Sequence, residues 1–431
     1  MTATPVTAST AAEGQREAVR REAGKAPLGL VLILGSLSAF APMATDFYLP
    51  GLPAMAADLD TRVSLVQLTL TVFVIGLALG QLVVGPLSDA WGRRRPLLTG
   101  LVVYVTGSLV CVAAPTVEVL IAGRVIQALG ASAAIVLSRA IVRDLYSGTT
   151  MTRFFSTLML VSGAAPVLAP VLGAQVIAVS HWRVVFGVLV LFGVVLLIAV
   201  ALRLPESLPP ARRQEARLLA HLRRYAHLLR DLRFVAYIAI GGLMFASLFV
   251  YISSSPFVLQ EAYGFSVREF SLVFAVNGAG IVTAGQLNRV LVGRFASELR
   301  LLGLGVVVGV AAVLTVLVAV VQDWTVAVLV AALFPAVAVF GMVVANATSL
   351  ALAEHAASAG AASSLQGMVQ FLTAGVAAAV VGLAGEGSAL AMALGMTVCM
   401  GLALVVLVVL VALSGGGSSR PRRAPRRAAS R

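Results

Sequence analysis

The chain has 431 residues, 60% of them hydrophobic and only 11% charged, with a mean hydropathy of +1.00. Many apolar runs exceed the ~20 residues that cross about 30 Å of hydrocarbon, which excludes a water-soluble globule and indicates an all-α polytopic membrane protein. The formal net charge of +13 does not signal nucleic-acid binding, because no basic stretch is interleaved with stacking aromatics and the arginines fall in alternate loops.

Residues 1–27 are rich in Ala, Thr, Glu and Arg, have no packed pattern, and read as a disordered cytoplasmic tail. Four basic residues before the first apolar run resemble a signal peptide, but that run is long and others follow, so it reads as a retained span. Twelve spans are expected, near 28–49, 63–84, 97–114, 117–140, 154–179, 184–202, 234–257, 267–288, 301–321, 325–352, 361–384 and 388–413. The joint between the second and third, Gly85 to Pro96, is too short to cross a bilayer and carries Arg93, Arg94 and Arg95. The positive-inside bias therefore puts it in the cytoplasm. With both termini also inside, 27 of the 31 basic residues lie in cytoplasmic segments, three lie in outer loops, and Arg124 lies within a span.

The polar stretch 203–233 divides six spans (28–202) from six (234–413) and reads as a cytoplasmic linker. Its leucines at helical spacing among arginines fit either a short amphipathic helix on the inner leaflet or a plain solvated linker. Residues 414–431 form a basic cytoplasmic tail of disordered composition that can meet anionic lipid. Six plus six spans suggest two halves related by an internal repeat. The aligned copy of the first joint, at 289–300, keeps only a degenerate Gly293 and Arg294, so topology carries that repeat better than residue identity.

Ionisable residues inside spans cost roughly 2.5–3.5 kcal/mol on insertion scales, so each calls for a reason. Asp46 lies near the outer end of the first span, and Arg124 lies about 10 Å into the fourth, at comparable depth. A facing pair, or a shared water-filled cavity, would offset the desolvation of both, and an acid in such a cavity can exchange a proton. The alternatives are an interfacial helix-end acid for Asp46 and an arginine bonded to backbone carbonyls for Arg124. An offset of about 206 residues maps these two onto Ile252 and Val330, so proton coupling belongs to the first half. Phe47, Tyr48 and Gln127 lie close to the charges in sequence and are candidate cavity liners, as is Asn277 in the eighth span, although span amides often only bond neighbouring helices. Gly163, Pro166, Pro170 and Gly173 predict a kinked, close-packed fifth span suited to a hinge or seal, or to ordinary helix packing.

Four histidines (His181, His221, His227 and His355) sit in or near loops without metal spacing or an acid–base cluster, so neither a metal site nor an enzyme is expected. Cys111 and Cys399 fall in apolar runs and predict no disulfide. No cofactor is expected beyond a proton gradient.

Together these motifs resemble the major facilitator superfamily, and within it the twelve-span drug:proton antiporters. Gly85-x-Leu87-Ser88-Asp89-x-x-Gly92-Arg93-Arg94-Arg95 resembles the family's signature joint, Leu120-x-x-x-Arg124-x-x-Gln127-x-x-Gly130 its fourth-span motif, and Gly163 through Gly173 its antiporter motif. Ala128 stands where the family commonly has glycine. The Asp46-x-Tyr48-Leu49-Pro50, Arg139-Ala-Ile-Val-Arg143-Asp144 and Ser255-Pro-Phe-Val-Leu-Gln-Glu261 stretches are similar to the bicyclomycin/chloramphenicol-resistance exporters. The resemblance implies a major facilitator fold of two six-helix bundles and a monomer in the cytoplasmic membrane. It implies proton coupling and substrate binding at Asp46 and Arg124, and gating through Gly85, Asp89, Gly92 and Arg93, with Asp89 clasping the cytoplasmic end of span 11. Some relatives carry a second, deeper acid where Ser38 stands here, a departure that favours neutral or weakly charged substrates. Proton-coupled drug efflux is the expected activity; transport of a specific metabolite, such as an amino acid, a sugar or an endogenous antibiotic, is the alternative.

Overall fold

In a computed structural model of the chain, residues 28–146, 148–213, 218–353, 355, 359–385 and 387–415 are described. The tails expected at 1–27 and over most of 414–431 lie outside them. The first half is built from α1 (Leu28–Ser38), α2 (Phe40–Asp46), α3 (Leu52–Asp58), α4 (Val63–Trp91), α5 (Arg94–Ala113), α6 (Val117–Leu145), α7 (Gly148–Val179) and α8 (Trp182–Arg203). The linker contributes α9 (Leu218–Leu228). The second half comprises α10 (Leu232–Phe257), α11 (Val267–Leu291), α12 (Glu298–Val321), α13 (Val326–Ala353), α14 (Ala359–Ala384) and α15 (Ala389–Gly415). Among the described residues ten helices are long and apolar enough to cross a membrane, and the bent pair Leu28–Ser38 and Phe40–Asp58 makes an eleventh. The twelfth is α7, with 32 residues and an apolar stretch Ala164–Val179.

Two expected elements differ. The first span is broken, with its two parts bent by 42°. Pro42 has no N–H to reach the Ser38 carbonyl, and its ring crowds that turn. The Ser38 hydroxyl instead donates to Leu34 O and to Ser138 Oγ on α6. The Gly85–Pro96 stretch, expected as a loop, is mostly helix, because α4 runs on to Trp91 and α5 begins at Arg94. What ends α4 is Gly92, whose φ of 89° lies where a side chain is strained. Polarity there marks the end of the apolar layer and not the end of the helix.

Within the first half α6 packs on α4 and α5, and α8 on α5; within the second, α13 packs on α11 and α12, and α10 on α14 and α15. The halves meet along two seams, α4 against α14 and α7 against α11. At the end opposite the Arg93–Arg95 turn they are joined by hydrogen bonds, Gln67 Nε2 to Ser253 O at 3.1 Å and Gln260 Nε2 to Pro50 O at 3.2 Å. Near the arginine-bearing end, α9 rests on both α14 and α4. Tyr225 and Leu228 of α9 pack with Phe234, Ile238, Ala362 and Leu365, so its apolar face docks on protein, not lipid.

Small residues set the closest approaches, as expected where lipid offers no hydrophobic drive between helices. A Cβ on Gly130 of α6 would overlap the Tyr104 backbone nitrogen and the Gly100 carbonyl of α5. Backbone cannot yield as a side chain can. Gly130→Val is therefore expected to lower the thermal midpoint of the purified protein by an amount equivalent to about 1–3 kcal/mol of overpacking. Gly401→Ala, with open space around it, is expected to leave the midpoint within a degree or two. Tryptophan fluorescence during a thermal ramp measures both.

Candidate functional site

Between the halves lies a cavity of about 340 Å³. Its walls are unequal. The second half supplies an aromatic surface from Phe245, Phe249, Tyr251, Phe274, Phe340 and Phe371, while the first supplies Ser38, Asp46 and Arg139. Among the described residues Asp46 is the only acid in the lining and Arg139 the only cation. Asn277 also lines the cavity, its amide donating to the Tyr251 hydroxyl at 2.8 Å, which fixes both against the ring of Phe274.

The break in the first span places Asp46 as the last residue of α2, 5% exposed, on the cavity wall. Arg124 lies behind that wall, with no accessible surface. It does not reach Asp46: among the described residues no ion pair joins the two. Its Nη1 donates to Ala44 O at 2.9 Å and to Gln127 Oε1 at 2.6 Å, and its Nε donates to Thr69 O at 3.3 Å. Its guanidinium carbon lies 4.1 Å from the ring centre of Phe73 and 4.6 Å from that of Tyr48. Carbonyl dipoles and ring faces thus replace a counter-ion. Ala44 O is a terminal carbonyl left without a helical partner because α2 stops at Asp46. Arg124 therefore grips the backbone two residues before the acid. Of the liners expected from sequence, only Asn277 faces the cavity. Tyr48 and Gln127 are fully buried around Arg124, with Tyr48 paired to Thr69 Oγ1 at 3.0 Å and Gln127 to Ser108 Oγ at 2.8 Å. Phe47 is 3% exposed and buried in the core.

α7 closes one side. Pro166 lines the cavity. A Cβ on Gly173 would collide with the Phe47 carbonyl, so glycine there lets α7 approach the broken span directly. Pro170 is buried inside the same helix, and Gly163 lies two turns before Pro170.

At the arginine-bearing end a second network forms away from the cavity. Arg93 Nη1 donates to Asp89 Oδ1 at 2.6 Å and Ser88 Oγ at 2.7 Å, and its Nε donates to Asp144 Oδ2 at 2.8 Å. Asp89 is thus held by Arg93 within its own half, with its side chain 37% exposed. Glu206 of the linker accepts the backbone N–H groups of Arg93, Arg94 and Leu208, sitting on the N-terminal turn of α5. A Cβ on Gly92 would strike Glu206, a second reason for glycine there, whereas Gly85 has nothing within 4 Å. Burial alone would raise the Glu206 carboxyl, but the N–H groups of Leu208, Arg93 and Arg94 and the Arg213 guanidinium outweigh it and hold it below the ordinary value.

Sequence reasoning missed Arg139 as a cavity residue; its place inside the expected fourth span, 117–140, was the available signal. It also missed Glu206 as an anchor and the aromatic wall, since isolated phenylalanines in apolar spans carry no positional cue.

Residues 34–382 match the family described as Major Facilitator Superfamily. The chain is 36% identical over 365 residues to an uncharacterized MFS-type transporter YdgK of Bacillus subtilis, covering 84% of this chain and 90% of that one. It is 32% identical over 271 residues to a bicyclomycin resistance protein homolog of Haemophilus influenzae, covering 63% and 68% of the two chains. The fold is also similar to a solved D-xylose-proton symporter, with TM-score 0.73, 16% identity, and 89% and 96% of the two chains covered.

Two substitutions test the networks. Arg124→Ala strands the Gln127 amide and two carbonyls, and burial without partners costs about 1–3 kcal/mol for each group. Its thermal midpoint is expected to fall well below wild type, and Arg124→Lys, lacking the planar fork, to recover it only in part. For Glu206 the sign follows from its lowered carboxyl: its stabilisation is complete above the unfolded value of 4.5 and is lost as pH falls through the lower folded value. Glu206→Gln should therefore lower the midpoint at pH 7, with the gap to wild type closing below about pH 4.5.

Proposed function

The chain belongs to the major facilitator superfamily, and from that premise we propose that it is a proton-coupled exporter of drugs or similar small amphipathic molecules. The single observation carrying this reading is that, among the described residues, Asp46 is the only acid on the wall of a cavity shared by both halves. Resemblance to resistance proteins supports export over uptake. In this reading the Arg93–Arg95 turn and both termini face the cytoplasm, consistent with the positive-inside bias. Residues 28–202 and 234–413 are the two moving bodies, and 203–233 is the linker.

The cycle follows from charge and packing. When the cavity opens outward, Asp46 takes a proton and substrate leaves. A neutral acid no longer has to stay hydrated, so the halves can close around it and reopen inward. There, substrate entry and proton release to the cytoplasm complete the exchange. Arg124 serves by holding the Ala44 carbonyl, and hence the position of Asp46. The hydrogen bonds of Gln67 and Gln260 across the halves close the outer side and must break for outward opening. As the inner side shuts, Asp89 exchanges Arg93 for the positive N-terminal end of α14. One chain encloses the whole cavity, so a monomer in the cytoplasmic membrane suffices, with the proton gradient in place of a cofactor.

Inverted vesicles with an interior-acid gradient test this. Wild type is expected to accumulate a transported drug and to discharge the gradient measurably when the drug is added, with a protonophore abolishing uptake. Asp46→Asn should bind the drug yet show gradient-driven uptake at background. Wild-type uptake indifferent to the protonophore would overturn the reading.

A further inference from the structure

The cavity is chemically divided between the halves, and the division describes a ligand. All six aromatic liners come from the second half, with Phe245 5.6 Å from both Phe340 and Phe371, and Tyr251 stacked 5.6 Å from Phe274. The ionisable liners both come from the first. They are not equivalent. Asp46 is set into the wall at 5% exposure, whereas Arg139 is exposed although it lies six residues inside the end of α6. Arg139 has no hydrogen-bond or ion-pair partner among the described residues. Arg143, also exposed, stands one helical turn nearer the end of α6, on the same face. The neighbouring acid, Asp144, is already engaged by Arg93 and by the Ser207 hydroxyl. The charge accessible to a ligand is thus positive, opposite an aromatic wall.

We propose that Arg139 is the head-group site of this cavity and that the substrate class is an aromatic amphiphile bearing an anionic group, such as a carboxylate. The ring system lies on the second half, and the anion meets the planar guanidinium fork, which suits two parallel hydrogen bonds to a carboxylate. Arg143 at the next turn draws anions towards Arg139 and repels cations. A cationic amphiphile gains the same ring contacts but brings like charge to Arg139. This departs from the weakly charged substrates suggested by Ser38, whose hydroxyl is committed to Leu34 O and Ser138 and leaves the first-half wall without a second acid.

The proposal rests on the export reading only for treating this cavity as the transport site, and it is tested without a gradient. Calorimetric titration of the purified full chain in lipid nanodiscs would compare three ligands with one ring system: 1-naphthylacetate, 1-naphthylacetamide and 2-(1-naphthyl)ethylammonium. Wild type is expected to bind the carboxylate about tenfold more tightly than the amide, as for a hydrogen bond to a charged group, and the ammonium most weakly. Arg139→Gln should erase the carboxylate preference while keeping amide affinity, which also shows that the variant is folded. Arg139→Lys should restore the preference in part. Equal or tighter binding of the ammonium by wild type, an unchanged carboxylate preference in Arg139→Gln, or no binding of any of the three at millimolar concentration would each overturn the proposal. Should the preference hold while gradient-driven uptake fails, the antiport reading falls and this one stands.

Discussion

The buried guanidinium of Arg124 is the constraint on which the rest of the site depends. A charge with no accessible surface and no carboxylate partner must find its compensation in fixed dipoles. Here these are the carbonyls of Ala44 and Thr69, the Gln127 amide oxygen, and the faces of Phe73 and Tyr48. The arrangement works because the first span is broken at Ser38–Phe40 and stops at Asp46, leaving the Ala44 carbonyl free to accept. One interruption, the end of α2 at Asp46, supplies the Ala44 carbonyl that makes the buried arginine tolerable. Together they present Asp46 to the cavity.

A division of labour between the halves follows. The first half holds the charged cavity liners, the proline-bearing α7 and the network around Arg93. The second offers rings and the Asn277–Tyr251 pair. The halves meet chiefly along α4–α14 and α7–α11, and in the proposed cycle a rocking motion would change those seams and the cavity while leaving the Arg124 cluster intact within its half. That proposal separates coupling from gating: Asp46 would change charge inside one body, while hydrogen bonds between the two bodies, such as Gln67 to Ser253, would break and form.

Much of this was legible in the sequence, and the remainder was not for identifiable reasons. Hydropathy located the spans because each must carry about 20 apolar residues. It measures depth, however, and not the direction a side chain faces. Arg124 reaches the Ala44 carbonyl, two residues from Asp46, yet the acid faces the cavity and the arginine lies behind its wall, so the facing pair does not form. Tyr48 and Gln127 lie near Arg124 in the fold and for that very reason are turned away from the cavity. The Gly85–Pro96 stretch read as a loop because its polarity was equated with the end of a helix; α4 continues past the apolar layer, and only Gly92 ends it. Arg139 was passed over by the same equation of charge with surface, because it stands at the end of the expected fourth span while α6 runs on to Leu145.

In the proposed antiport, Asp46 gains and loses the transported proton in competition with substrate. Proton release on ligand binding tests this most directly, in weakly buffered detergent solution near neutral pH with a pH indicator and no membrane. Addition of saturating 1-naphthylacetamide, which brings no charge of its own beside Asp46, should release protons from the wild-type protein, up to about one per chain at the most favourable pH, and addition to Asp46→Asn, at concentrations where it still binds, should release none. Equal release from both proteins would contradict the claim and place the coupling elsewhere in the chain.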